Sequence, residues 1–191
     1  MEELLQENDN IQEEKKPENK LVSGIYDIVS IFMTAVITIM VIFTFIFRFV
    51  GVVGPSMEDT LFNGDWLLVS AMSSEPEYGD VVIITQPNYY NEPIVKRVIA
   101  TENQVVDIDF STGTVYVDGK VLDEPYVKGS TTDKYEVDFP VTVPENHVFV
   151  LGDNRNHSSD SRSSKIGFIA EDYILGKVKY RVFPLGDFKV E

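Results

Sequence analysis

Three short stretches hold the side chains able to do chemistry. The first is "GPSMEDTL", Gly54 to Leu61, with Ser56 behind a Gly-Pro pair. Taken alone, Ser56 to Asp59 fits a capping box, in which the hydroxyl accepts a backbone N–H bond and the carboxylate returns one. The Gly-Pro step also turns the chain sharply enough to present the hydroxyl as a nucleophile, with nearby backbone N–H groups left to hold an oxyanion. A serine nucleophile needs a base. The second stretch, "EPIVKRVIA", offers one, because strand alternation puts Ile94, Lys96 and Val98 on one face and Val95, Arg97 and Ile99 on the other. A lysine desolvated among Ile and Val has its pKa pushed down, and a neutral amine can deprotonate a hydroxyl. The competing reading is an edge strand whose inward lysine deters aggregation. Arg97 stays protonated and predicts a carboxylate partner.

The third stretch is "GDNRNHSSDSR", Gly152 to Arg162, eleven residues without an apolar side chain directly after "HVFVL". Asx and Ser turns account for such a loop without any function. The same residues could supply a hydroxyl that orients an amine and an Asp160–Arg162 pair that locks the turn. His147 and His157 lack helical i, i+4 spacing, and there is no cysteine, so no metal or other cofactor is expected. Asn156 to Ser158 matches a glycosylation sequon, a pattern common by chance. A Ser-His-Asp triad stays open on counts alone.

The elements that must position these residues begin with a membrane anchor. Ile28 to Phe47 runs 20 residues without a charge, and at ~1.5 Å per residue a helix of that length spans the ~30 Å hydrocarbon core. The run is longer than a signal-peptide core and has no Ala-x-Ala exit, so it reads as an uncleaved anchor. Lys15, Lys16 and Lys20 precede it and Arg48 is the only base close after it, which predicts a cytoplasmic N-terminus and 143 residues outside the cell membrane. Residues 1–24 read as a solvated tail and 25–50 as the anchor. Beyond the anchor 23 acidic residues face 12 basic ones, within a chain of net charge −15. That excludes a phosphate-neutralising stripe, so no nucleic-acid partner is expected.

From there the pattern is short β-like runs bounded by Gly, Pro, Asn and Asp: "DWLLVS", "DVVIITQP", "PIVKRVIAT", "VVDIDF", "TVYVDGKVL", "HVFVLGD" and "GKVKYRVFP". The turns "STG" and Asp118-Gly119 predict hairpins. This is a mainly β exterior domain. A segment richer in Asp, Glu, Thr and Pro, 101–146, reads as an inserted β-rich subdomain within a catalytic core of 51–100 and 147–191.

Together and in this order, "GPSMEDTLFNGDWLLV", "YGDVVII", "IVKRVIA" and "LGDNRNHSSDSRSSKIGFI" resemble the four boxes of bacterial type I signal peptidases, Gram-positive branch. The resemblance covers roughly residues 51–182 plus the anchor. It implies an antiparallel coiled β-sheet core with a β-rich insertion after the lysine strand, as in the LexA and signal-peptidase fold. It implies a membrane-bound serine endopeptidase that removes signal peptides from exported preproteins by a Ser/Lys acyl-enzyme mechanism. Ser56 would be the nucleophile, its own N–H an oxyanion donor, and Lys96 the general base. Ser158 would orient the amine, Asp160 and Arg162 would form a structural ion pair, and Gly152, Asp153 and Asn154 would make the turn beneath the site. Small residues before the cut would enter shallow apolar pockets near Met57, Val81, Val82 and Ile83. Implied partners are signal peptides, membrane lipid and the secretion translocon.

The sequence departs from that pattern at Asp59, which replaces a proline, at Gly54, where some members carry a hydroxyl donor, and at "TENQV", which replaces a Gly-Leu-Pro-Gly-Asp turn. Two other readings stay open: a related protease dedicated to itself or to one surface protein, and a membrane-tethered β domain that binds without catalysis.

Overall fold

The structure, a computed structural model, describes residues 20–71, 75–87 and 91–186; the first nineteen residues, most of the expected tail, lie outside the described residues. The chain divides into two compact units, Met1–Val41 and Ile42–Glu191. The first holds most of α1, Lys20–Phe45. Its 25-residue stretch Leu21–Phe45 has a mean hydropathy of 2.6, and its residues are exposed or half-buried. Thr34 and Thr38 donate their hydroxyls to the Ser30 and Thr34 carbonyls, both at 2.8 Å, so polar groups on this apolar helix are satisfied internally.

The helix stops two residues before the apolar run does. Phe47–Gly51, of which all but Gly51 was expected as the end of the anchor, is strand β1, and all five of its residues pair antiparallel with β2, Trp66–Ser70. Phe45 to Phe47 are still apolar, so the ladder offered by "DWLLVS" ends the helix ahead of the charge at Arg48.

The second unit is mainly β. β3 is Val81–Ile84, β4 Ile94–Ala100, β5 Val105–Asp109, β6 Thr114–Val117, β7 Lys120–Val121, β8 Val141–Thr142, β9 His147–Leu151, β10 Ile169–Ala170 and β11 Ile174–Phe183. A seven-stranded antiparallel sheet runs in the order β1-β2-β11-β3-β4-β9-β10, and a four-stranded sheet in the order β7-β6-β5-β8. Register shifts interrupt β11 against both neighbours and β4 against β9; such irregularities raise local twist and curl a sheet. The lysine strand β4 lies between β3 and β9, well inside the sheet. That corrects the edge-gatekeeper reading of Lys96, since an interior strand has no free edge to protect.

The four-stranded sheet is built from the segment expected as an insertion. Its Asp118-Gly119 turn has φ of 52° and 73°, the left-handed pair that a two-residue hairpin requires. Yet Val106, Ile108, Val115 and Val117 share one buried cluster with Ile99, Ala100, Phe149 and Leu151 of the larger sheet. The two sheets therefore hold a common core. "TENQ" closes the β4–β5 turn without the Gly-Pro-Gly pattern: Gln104 N–H donates to the Thr101 carbonyl at 3.3 Å and the Gln104 side chain accepts from Thr101 N–H at 2.9 Å.

Candidate active site

Ser56 sits on a non-helical turn between β1 and β2. Gly54, at φ +89°, supplies a left-handed step, and its N–H donates to Asn63 Oδ1 at 3.1 Å. Met57 and Leu61 are 1% and 0% exposed, and their burial among Val52, Leu67, Val69 and Ile83 pins the turn from below. No helix starts at Ser56, which removes the capping role. The hydroxyl is instead 2.9 Å from Lys96 Nζ.

Lys96 is 3% exposed. Its ammonium also donates to the carbonyl of Val95 at 2.9 Å. Burial, partly opposed by the nearby carboxylates of Asp160 and Asp153, brings its pKa down to about 8. The amine is thus neutral in a usable fraction of molecules at mildly alkaline pH, and at 2.9 Å the same contact can run in reverse, with the hydroxyl donating to the nitrogen lone pair.

The loop after β9 holds this pair in place. Asn154 N–H donates to the Ser56 carbonyl at 3.0 Å, and Asn154 Nδ2 donates to the Pro55 carbonyl at 3.0 Å. Asp153 accepts from Arg97 Nε at 2.9 Å and from Arg97 Nη2 at 2.7 Å, a bidentate pair buried on both sides. The Tyr126 ring covers the Arg97 guanidinium at 3.9 Å. Asp160 accepts from Arg162 Nε at 2.8 Å and Nη2 at 2.9 Å, and from Gly152 N–H at 3.1 Å. Arg155, fully buried, reaches Glu124 through two nitrogens and Thr131 through one. Three arginines thus fix one loop, each against carboxylates or carbonyls. Alternation marked Arg97 as an inward cation, but Glu124, Thr131 and Tyr126 carried no signal, because their partners lie far away in sequence.

Ser158 differs from expectation. Its hydroxyl is buried and has no hydrogen-bond partner among the described residues, where Lys96 donates to Ser56 and Val95. The Ser158 side chain packs on the Cα of Gly152, where a β-carbon would stand 2.2 Å from its oxygen and 2.5 Å from the Ser56 carbonyl. Gly152→Ala must therefore push both away. It is expected to lower kcat about ten- to a hundredfold, measured on purified protein, with a smaller change in KM.

Two clefts flank Ser56. One, of about 340 Å³, is mostly apolar and is lined by Ser56, Met57, Ile83, Val95 and Lys96 together with Val50 to Val53 and Ile94. Met57 and Ile83 lie where the pocket was expected. Val81 and Val82 do not line it: they are core residues at 3% and 0% exposure, and Val82 faces the cluster around Val98 and Val150. The wall they were expected to form comes from β1 and the start of β4. The second cleft, of about 380 Å³, is lined by Pro55, Glu58, Lys128, Gly129, Asn154, Asn156 and His157, so a carboxylate and an ammonium stand in its wall.

Residues 25–183 match the family described as signal peptidase, peptidase S26. The chain is 37% identical over 158 residues to signal peptidase I of Bacillus amyloliquefaciens, covering 76% of this chain and 78% of that one. It is 36% identical over 168 residues to signal peptidase I T of Bacillus subtilis (strain 168), covering 81% and 83%. A crystal structure of a signal peptidase I from Enterococcus faecalis V583 aligns at 30% identity with a TM-score of 0.44, over 55% of this chain and 97% of that one. The chain belongs to the signal peptidase family of serine peptidases, peptidase S26.

Proposed function

We propose that the protein is a membrane-anchored endopeptidase that cleaves signal peptides from exported preproteins at the outer face of the cytoplasmic membrane, with Ser56 as nucleophile and Lys96 as general base. The observation that carries this reading is the 2.9 Å contact between Ser56 Oγ and a lysine amine buried to 3% exposure. Neutral Lys96 takes the Ser56 proton as the hydroxyl attacks the scissile carbonyl. The Ser56 N–H stabilises the oxyanion, while the Ser56 carbonyl is held by Asn154. Lys96 then protonates the leaving amine, giving an acyl-enzyme, and afterwards activates the water that hydrolyses it. While protonated, Lys96 carries three donors. Val95 takes one, and the buried, unpartnered Ser158 hydroxyl is the acceptor assigned to another. Small apolar residues before the cut enter the cleft lined by Met57, Ile83 and Val95. Lys15 and Lys16 ahead of α1 and Lys20 at its start support a cytoplasmic N-terminus, and contacts with lipid and translocon would follow from that topology.

A pH–rate profile on a purified preprotein in detergent tests the base. Only the unprotonated amine is active, so kcat/KM is expected to rise with pH through an apparent pKa near 8 and level off above it. Two units below that value the rate falls to about one hundredth of its plateau. A limb near pH 6 to 7 would assign the base to a histidine instead.

A further inference from the structure

The second cleft, beside Pro55, plays no part in the chemistry described above. It abuts the nucleophile through backbone: Pro55 lines it, the Pro55 carbonyl accepts from Asn154 Nδ2, and Asn154 N–H holds the Ser56 carbonyl. The apolar cleft has Lys96 and Ser56 in its wall and shares no lining residue with this one. A substrate whose acyl side fills the apolar cleft leaves this second cleft open to its leaving side.

The cleft is charged. Lys128 Nζ donates to Glu58 Oε2 at 3.1 Å and lies 3.3 Å from Asp59 Oδ1. Those two carboxylates hold the Lys128 pKa above its usual value, so the ammonium persists throughout the working range. Two carboxylates against one ammonium leave a surplus of one negative charge at the rim. The lysine side chain is 43% exposed and those of Glu58 and Asp59 are 25% and 68% exposed, so all three groups are open to an incoming peptide. Backbone geometry fixes the floor: Lys128 N–H donates to the Asp153 carbonyl at 2.9 Å, tying this wall to the catalytic loop.

We propose that this cleft receives the residues that follow the scissile bond, and that Glu58, Asp59 and Lys128 make it discriminate against an acidic residue just after the cut. An acidic residue there meets the surplus negative charge, and it gains Lys128 only by displacing Glu58 or Asp59. A basic one finds carboxylate oxygens with spare lone pairs. Exposed charges at these separations contribute modestly, so the discrimination is a few-fold. The inference rests on the signal-peptidase reading of Ser56 and Lys96.

The test uses the full chain in detergent above pH 8 and three preprotein peptides identical except for Lys, Ser or Glu immediately after the cut. The readout is the ratio of kcat/KM for the Lys peptide to that for the Glu peptide. Both are measured on one preparation, so a partly folded variant leaves the ratio intact. Wild type is expected to favour Lys about two- to fivefold at low salt. Lys128→Gln, which deepens the surplus to two charges, should widen the ratio. Glu58→Gln with Asp59→Asn, which turns the rim positive, should bring it below one, and 0.5 M salt should flatten all three ratios. A wild-type ratio near one, or the same ratio in every variant, overturns the proposal. Failure to cut any of the three peptides overturns the reading of the site itself.

Discussion

Lys96→Ala and Ser56→Ala are each expected to lower kcat on a preprotein by on the order of 10⁴-fold or more, with KM little changed. On the proposed mechanism the nucleophile and its base act as a unit, so either loss would remove covalent catalysis and leave only the oxyanion donor and binding. The contact at 2.9 Å places the Lys96 amine on the Ser56 hydroxyl, and both histidines bond or line surfaces elsewhere: His147 Nδ1 meets the Glu145 carbonyl, and His157 lines the cleft beside Pro55. Lys96→Arg should be as inactive as Lys96→Ala, because a guanidinium does not deprotonate. Lys96→Met separates chemistry from folding. It keeps the aliphatic stem in a site already 97% hidden from solvent and removes a charge whose burial is costly. Its unfolding midpoint is expected at or above that of wild type while its activity is gone. More than a tenth of wild-type kcat in Lys96→Met would overturn the mechanism.

How much of this was legible in the sequence differs by element. Strands were readable where a short apolar run met Gly or Asp at one end, as in Trp66–Ser70 after Asp65 and His147–Leu151 before Gly152. β1 was not, because apolar residues continue from the anchor on both sides of Arg48 and only pairing with β2 tells strand from helix. The two-residue strands Val141–Thr142 and Ile169–Ala170 lack the length to show a period. At the site, alternation brought out Lys96 and Arg97 as inward cations, since a charge between β-branched neighbours is conspicuous. Their contacts were less readable. That Lys96 reaches Ser56 depends on a turn 40 residues earlier. That Val81 and Val82 lie in the core, and not in the apolar cleft, depends on where β11 packs beside β3. Ser158 shows the same limit more sharply. A serine in a polar loop carries no sign of where its hydroxyl points, and here it rests against Gly152 without a partner.

Asp153→Ala is expected to lower the free energy of unfolding by about 3–5 kcal/mol, since removing one partner of a buried ion pair leaves the other charge uncompensated. Arg97 is 1% exposed and Asp153 0%. Without the carboxylate, Arg97 keeps a bond to the Gly79 carbonyl at 2.9 Å and its stacking on Tyr126, neither of which neutralises a guanidinium. Chemical unfolding of the purified chain in detergent measures the loss. A double variant, Arg97→Met with Asp153→Leu, should recover most of it, because apolar side chains of similar size need no partner; a double variant as unstable as Asp153→Ala would mean that the cost lies in packing. Asp153→Asn carries the argument into catalysis. The Asp153 charge raises the Lys96 pKa against the larger effect of burial, so its removal lets that pKa fall further. The acid limb of the pH–rate profile in Asp153→Asn should then move below that of wild type, with the neutral amine available at lower pH. A limb that stays in place would show that Asp153 acts on the site only through the fold.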